Sequence, residues 1–176
     1  MLVLVSVASR HGSTREIADA IADVLRDGGH RADVREPDEV EDLDGYDAVV
    51  LGSSVYVGRW SVSARAFVDR LAATWSDRPV WLFSSGPVGR QPEPADDPEE
   101  VPSLVARLGA RGHRTFAGSL DRGGLTLAER AVVSLVRAQP GDYRVWPDVT
   151  RWAQGIARDL HAEEIRAAHR GPLRPV

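Results

Sequence analysis

The segment Ser9-Arg10-His11-Gly12-Ser13-Thr14 crowds hydroxyls, an imidazole and a glycine into one short stretch. Hydroxyl and backbone N–H groups are donors, and the chemistry open to such a set is capture of an anion, above all a phosphate. The flanks favour it. The apolar run Leu2–Ala8 precedes the segment, and Arg15-Glu16-Ile17-Ala18-Asp19-Ala20-Ile21 follows with helical spacing. A strand that turns into a helix presents unsatisfied N–H groups and the positive end of a dipole. Gly12 lets the backbone approach a ligand closely. Ser13-Thr14-Arg15-Glu16 also fits a capping box, which needs no ligand, so the loop alone leaves both readings open. It lacks the lysine of a P-loop and the three glycines of a dinucleotide fingerprint.

The elements that position this loop alternate along the chain. Short apolar or half-apolar runs predict strands over Leu2–Ala8, Arg31–Arg35, Ala48–Gly52, Pro79–Ser84 and Arg114–Ser119. Helical spacing predicts helices over Thr14–Arg26, Val62–Trp75, within Asp96–Ala110, over Leu125–Arg137 and over Pro147–Arg166. Pro37–Leu43 reads as a turn or two of helix, and Pro147 suits a first helical turn. Pro92–Pro102 reads as a surface loop rich in proline and acid. Strands alternating with helices call for an α/β fold with a parallel sheet covered on both faces. With right-handed crossovers and an anion loop after the first strand, the expected order is the doubly wound 2-1-3-4-5. Ligands in such sheets sit beyond the carboxyl ends of the strands. That directs attention to Ser9–Thr14, Ser53–Trp60 and Ser84–Arg90. One domain over residues 1–168 with a flexible tail over 169–176 is expected.

Composition narrows the function classes. The chain has 176 residues, a net charge of −4 and no cysteine. There is no global basic footprint for nucleic acid, and disulfides, thiolate metal sites and a cysteine nucleophile are excluded. The histidines are scattered without ligand spacing, so no metal site is expected. No segment reads as a membrane span or signal peptide, and the expected compartment is the cytoplasm, with the inner face of the membrane as an option.

The anion loop resembles the flavodoxin pattern Thr/Ser-x-Thr-Gly-x-Thr, with His11 where a threonine is usual. The stretch Gly52-Ser53-Ser54-Val55-Tyr56-Val57-Gly58-Arg59-Trp60 stands where flavodoxins hold a flavin ring. Within that superfamily the chain resembles the menaquinone-dependent protoporphyrinogen dehydrogenase group. The shared features are the early Gly-x-Thr-Arg-Glu-Ile-Ala, the Gly-x-Ser-x-Tyr-x-Gly stretch, Phe116-Ala117-Gly118-Ser119-Leu120 before an inserted helix, and Trp152-Ala153 in the last helix. The first of these is met as Gly12-Ser13-Thr14-Arg15-Glu16-Ile17-Ala18.

The resemblance implies flavin mononucleotide (FMN), with its phosphate on Ser9, His11, Gly12, Ser13 and Thr14. Its ring would lie between Ser53, Ser54, Tyr56, Gly58 and Trp60 on one side and Ser84, Ser85, Gly86 and Gly89 on the other. Tyr56 and Trp60 are candidate stacking groups, Tyr56 the stronger because it sits mid-loop beside Gly58, with Trp60 packing against the following helix as the alternative. The third loop lacks the aromatic and acidic residues usual in electron-transfer flavodoxins, and its charge is Arg90. A cation near the ring favours the reduced anion and raises the potential. Arg90, Arg122 and Arg130 are candidate carboxylate partners for a porphyrin substrate, with surface solvation as the ordinary alternative. The implied activity is oxidation of protoporphyrinogen with electrons passed to a quinone. The rival is a flavodoxin-type electron carrier that docks a redox protein through the acidic stretch Asp96–Glu100. Peripheral membrane contact, a homodimer, another flavin in the same pocket and a protein that has lost flavin remain open at this stage.

Overall fold

A computed structural model of the chain describes residues 1–72, 75, 78–86, 97–120 and 140–169. The described elements run in chain order as β1 (Leu2–Ala8), α1 (Ser13–Asp27), β2 (Arg31–Arg35), a 3-10 turn (Pro37–Glu39), β3 (Ala48–Tyr56), β4 (Arg59–Trp60) and α2 (Val62–Leu71). They continue with β5 (Val80–Ser85), α3 (Val101–Leu108), β6 (Gly112–Phe116), β7 (Ser119–Leu120), β8 (Gly141–Asp142) and α4 (Trp146–His169).

The main sheet has the order β2-β1-β3-β5-β6, every neighbouring pair parallel. This is the expected doubly wound order, with β4 as a short antiparallel addition to β3. Strand alternation sorts the core into two layers. Val3, Val5 and Val7 of β1 face Ile17, Ile21 and Leu25 of α1 and Val149, Ala153, Ile156 and Leu160 of α4. Leu4 of β1, with Val49 and Leu51 of β3, faces Phe67 and Val68 of α2 and Leu104 and Leu108 of α3. Both faces are therefore covered, as parallel sheets require. Among the described residues, no helix is long and apolar enough to cross a membrane.

Several boundaries differ from the sequence reading. β3 does not stop at Gly52 but runs to Tyr56, because its ladder continues past Gly52 onto β5 at Ser54 and onto β4 at Val55 and Tyr56; at Gly52 a Cβ would sit 2.0 Å from Cζ of the fully buried Phe83 ring. α2 ends at Leu71, with Trp75 beyond it and buried among the core side chains. The strand expected over Arg114–Ser119 is two elements. β6 ends at Phe116, and Ser119–Leu120 turns away to pair antiparallel with Gly141–Asp142. α4 starts at Trp146, with Pro147 in its first turn, and runs to His169. The helix expected over 125–137, most of the Pro92–Pro102 loop and residues 170–176 lie outside the described residues.

Candidate functional site

The carboxyl ends of β1, β3 and β5 deliver three segments to one edge of the sheet. The first is the loop into α1. Gly12 is the N-cap of α1, in the left-handed region at φ 85°, and makes no side-chain cap. The first intrahelical bond runs from Glu16 N–H to Gly12 C=O at 3.0 Å, so the N–H groups of Ser13, Thr14 and Arg15 lie ahead of the ladder. A capping box is not formed. Glu16, which would have closed it, reaches instead to Arg144 Nη1 at 2.7 Å. Ser9 Oγ is buried and has no hydrogen-bond partner. A buried, unsatisfied hydroxyl beside an open helix N-terminus is the arrangement that an anion completes.

The back of this loop is braced. Ser119 N–H donates to Ser13 Oγ at 3.0 Å. Arg144 grips Asp142 through Nε and Nη2 at 2.8 and 2.7 Å, and its Cζ stands 4.6 Å from the Trp146 ring centre. Its guanidinium holds the Asp142 carboxyl below the usual range. The pair β7–β8 is thereby fastened to the start of α1.

The second segment is a hairpin where the sequence reading placed an open loop. Val57 and Gly58, at φ 49° and 73°, form its two-residue turn, with Tyr56 opposite Arg59 and Val55 opposite Trp60. Positive φ at both central positions matches a type I′ turn. Tyr56 is 39% exposed and leans toward the anion loop. Its ring centre is 6.3 Å from that of His11, and Arg10 Cζ lies 5.2 Å from it. Arg10 is thus a member of this cluster that its sequence position beside His11 alone could have suggested.

Trp60 is not an open stacking face. It is 2% exposed, sits in the core against the α2 side, and donates through Nε1 to Ser84 Oγ at 2.8 Å. Its apolar area outweighs any claim of the site edge, and the indole N–H finds a buried acceptor. Ser53 is fully buried as well; its hydroxyl donates to Ser54 C=O and accepts Ser61 N–H, both at 2.9 Å. The Ser53 and Ser84 hydroxyls are therefore engaged inside the protein. Ser54, Tyr56 and Gly58 remain toward the edge.

The third segment starts at Ser85, nearly buried, and Gly86, whose φ of 125° disfavours any side chain and whose N–H bonds to Phe116 C=O at 3.0 Å. Gly89, Arg90, Arg122 and Arg130 lie outside the described residues. Two acids of the expected docking stretch, Asp97 and Glu100, are engaged internally. Asp97 accepts from Thr115 Oγ1 at 2.8 Å, and Glu100 accepts the Trp60 backbone N–H at 2.5 Å.

Comparison with known proteins agrees with this geometry. Over 95 residues the chain is 34% identical to the protoporphyrinogen IX dehydrogenase [quinone] of Escherichia coli K12, covering 53% of this chain and 52% of that protein. It is 30% identical to an NAD(P)H dehydrogenase (quinone) of Paraburkholderia phymatum, covering 42% and 48%. The chain thus spans about half the length of the curated relatives it matches. An archaeal flavodoxin structure superposes with a TM-score of 0.64 at 17% identity, over 92% of this chain and 99% of that one. Residues 4–144 match the flavodoxin domain. With the anion loop, the hairpin and the end of β5 all falling inside that span, the chain belongs to the flavodoxin-domain family.

Proposed function

We propose that this chain is an FMN-dependent oxidoreductase that oxidises a porphyrinogen and passes the electrons to a quinone. The observation that carries the cofactor is the open start of α1 together with the unsatisfied Ser9 hydroxyl. Ser9, His11, Gly12, Ser13 and Thr14 would hold the phosphate. Tyr56, Ser54 and Gly58 on the hairpin, and Ser85 and Gly86 at the end of β5, would border the ring. Bound there, the flavin supplies two-electron transfer, which the side chains of this site do not offer by themselves. The chain's own part is to hold, orient and shield it. The substrate reading draws on the quinone-linked name of the Escherichia coli relative and on the group resemblance of the sequence. A carrier that docks a basic partner is the weaker alternative, since Asp97 and Glu100 are engaged internally.

A titration tests the cofactor directly. FMN added to the purified chain should give a saturable shift of the flavin absorbance at one flavin per chain. Riboflavin, which lacks the phosphate, should bind at least about tenfold more weakly, as loss of a charge-assisted hydrogen-bond set implies. Equal affinity for the two would remove the phosphate site, and no saturable binding would remove the flavin reading altogether. With FMN bound, turnover of protoporphyrinogen with menaquinone and no added protein separates the enzyme from the carrier.

A further inference from the structure

Three side chains far apart in sequence meet beneath the hairpin. Ser84 lies near the end of β5, His113 on β6, and Asp97 in the segment that leads into α3. Ser84 Oγ is 2.8 Å from His113 Nε2 and accepts the Trp60 Nε1–H at the same distance. Asp97 Oδ1 stands 3.1 Å from His113 Nδ1, off the line of an ideal hydrogen bond. Ser84 is fully buried, the His113 side chain is 4% exposed, and that of Asp97 is 53% exposed. The order of contacts is that of a Ser-His-Asp triad, yet it is not a nucleophile's setting. The Ser84 hydroxyl has no access to solvent, and one of its lone pairs is committed to the indole.

Donor counting gives this chain a direction. A serine hydroxyl has one proton to give. With the Trp60 N–H accepted, Ser84 can donate to His113 only if Nε2 is bare, which places the ring proton on Nδ1, facing Asp97. The other neutral tautomer would set the Nδ1 lone pair against the Asp97 carboxylate. An imidazolium would turn Nε2 into a donor, and the Ser84 proton would then need a new acceptor in a fully buried position, an arrangement that carries a penalty. The neutral ring therefore holds Ser84 in the one orientation that receives the indole.

We infer that His113 is a positioning residue: through Ser84 it fixes the indole of Trp60, and with it the β3–β4 hairpin, and protonation of its imidazole loosens that hairpin. On the function proposed above, the hairpin borders the ring side of the flavin site, so cofactor affinity follows the same proton. From β5 the imidazole meets Ser84 and from the segment before α3 it meets Asp97, while Trp60 of β4 is joined to it through Ser84. Glu100 in that segment is held by the Trp60 backbone N–H. Burial depresses the His113 pKa below its ordinary 6.5 and Asp97 opposes the depression, so the neutral ring prevails at neutral pH. The anchoring is complete above 6.5 and is lost as pH falls through the lowered value.

The test follows the Trp60 indole N–H by nitrogen-edited NMR in the whole chain from pH 8 to 5, with the signal assigned by its loss in W60F. In the unaltered protein it should titrate as one proton. H113Q, whose amide can still partner Ser84 but does not titrate, should leave it flat. D97N, which removes the opposing charge from a half-exposed position, should move the midpoint to lower pH. In parallel, FMN affinity is measured at pH 7.5 and 5.5. The phosphate's own second proton dissociates near pH 6 and affects both proteins, so the difference is read: the unaltered chain should weaken about fivefold more than H113Q. An indole signal that is flat in the unaltered chain, or that titrates equally in H113Q, overturns the inference. FMN affinities that fall in parallel overturn its consequence for the site. If the indole titrates as expected and FMN does not bind, the positioning role stands and the flavin reading falls.

Discussion

Ser9 keeps a buried hydroxyl without a partner, a state that disfavours the ligand-free fold by about 1–3 kcal/mol. Ser9→Ala should leave urea stability unchanged or raise it by up to about 1 kcal/mol, since nothing is lost inside the protein. FMN affinity should meanwhile fall about tenfold, the size of one hydrogen bond to a charged group. A variant that loses stability and keeps its affinity would assign Ser9 a structural role. Ser9, His11 and Gly12 can be grouped from sequence because they share one turn, and the anion chemistry proposed for them rests on a few adjacent letters. Trp60 cannot be placed in this way, since a tryptophan at a loop edge stacks on a ligand or sinks into the core according to what lies beneath it. Here that is Ser84, brought under it by the register of β3 against β5. His113 gave no signal at all, because its partners stand 16 and 29 residues away (113 − 97 and 113 − 84).

At the scale of elements, β3 and its hairpin hold the instructive departures. The sequence reading ends the strand at Gly52, yet the strand continues to Tyr56 and the ring of Phe83 makes Gly52 a packing position in its middle. Gly52→Ala should therefore destabilise by about 1–3 kcal/mol, the usual range for overpacking a filled core, read as a lower denaturation midpoint. An unchanged midpoint would mean that Phe83 has room to move. The type I′ turn carries no sequence signature, because it is Val-Gly rather than Asn-Gly. Val57 sits at φ 49° with 91% of its surface exposed, so it bears strain without burying its side chain. Val57→Asn should raise stability by about 0.5–1 kcal/mol, visible as a higher Tm. A lower Tm would show that the valine side chain makes a contact that outweighs its backbone strain.

For the molecule as a whole, strand order is readable from alternation, crossover handedness and the anion loop after the first strand, whereas the side trip of Ser119–Leu120 to pair with Gly141–Asp142 depends on a partner more than twenty residues away (141 − 120 = 21). The charged contacts scattered over the surface set the acid response. Arg144 holds Asp142 low and the terminal amine holds Glu164 low, so both contribute stability above their ordinary values of 3.8 and 4.5 and lose it as pH falls through the lowered ones. His113 adds a loss that begins below 6.5, while Glu36, raised by burial, works in the opposite sense. The urea midpoint should be highest near neutrality, decline gently below 6.5 and steeply below 4.5. Added salt should weaken the steeper part, because Asp142 and Glu164 are 48% and 38% exposed. A midpoint constant from pH 7 to 4 would contradict this.

The short ladder of Ser119 and Leu120 on Asp142 and Gly141 has a consequence for how such a chain can be rebuilt. Its two strands hold Leu120 and Gly141 side by side and are locked to α1 through Ser119 and Arg144. That pairing is a socket, and the segment between its two strands is the cassette to exchange. Replacing residues 121–140 with a two-residue Asn-Gly turn should leave a chain that still folds and still takes up FMN, and any turnover with quinone that disappears in the process belongs to the cassette. Should the shortened chain lose FMN instead, the socket is not independent of what it carries.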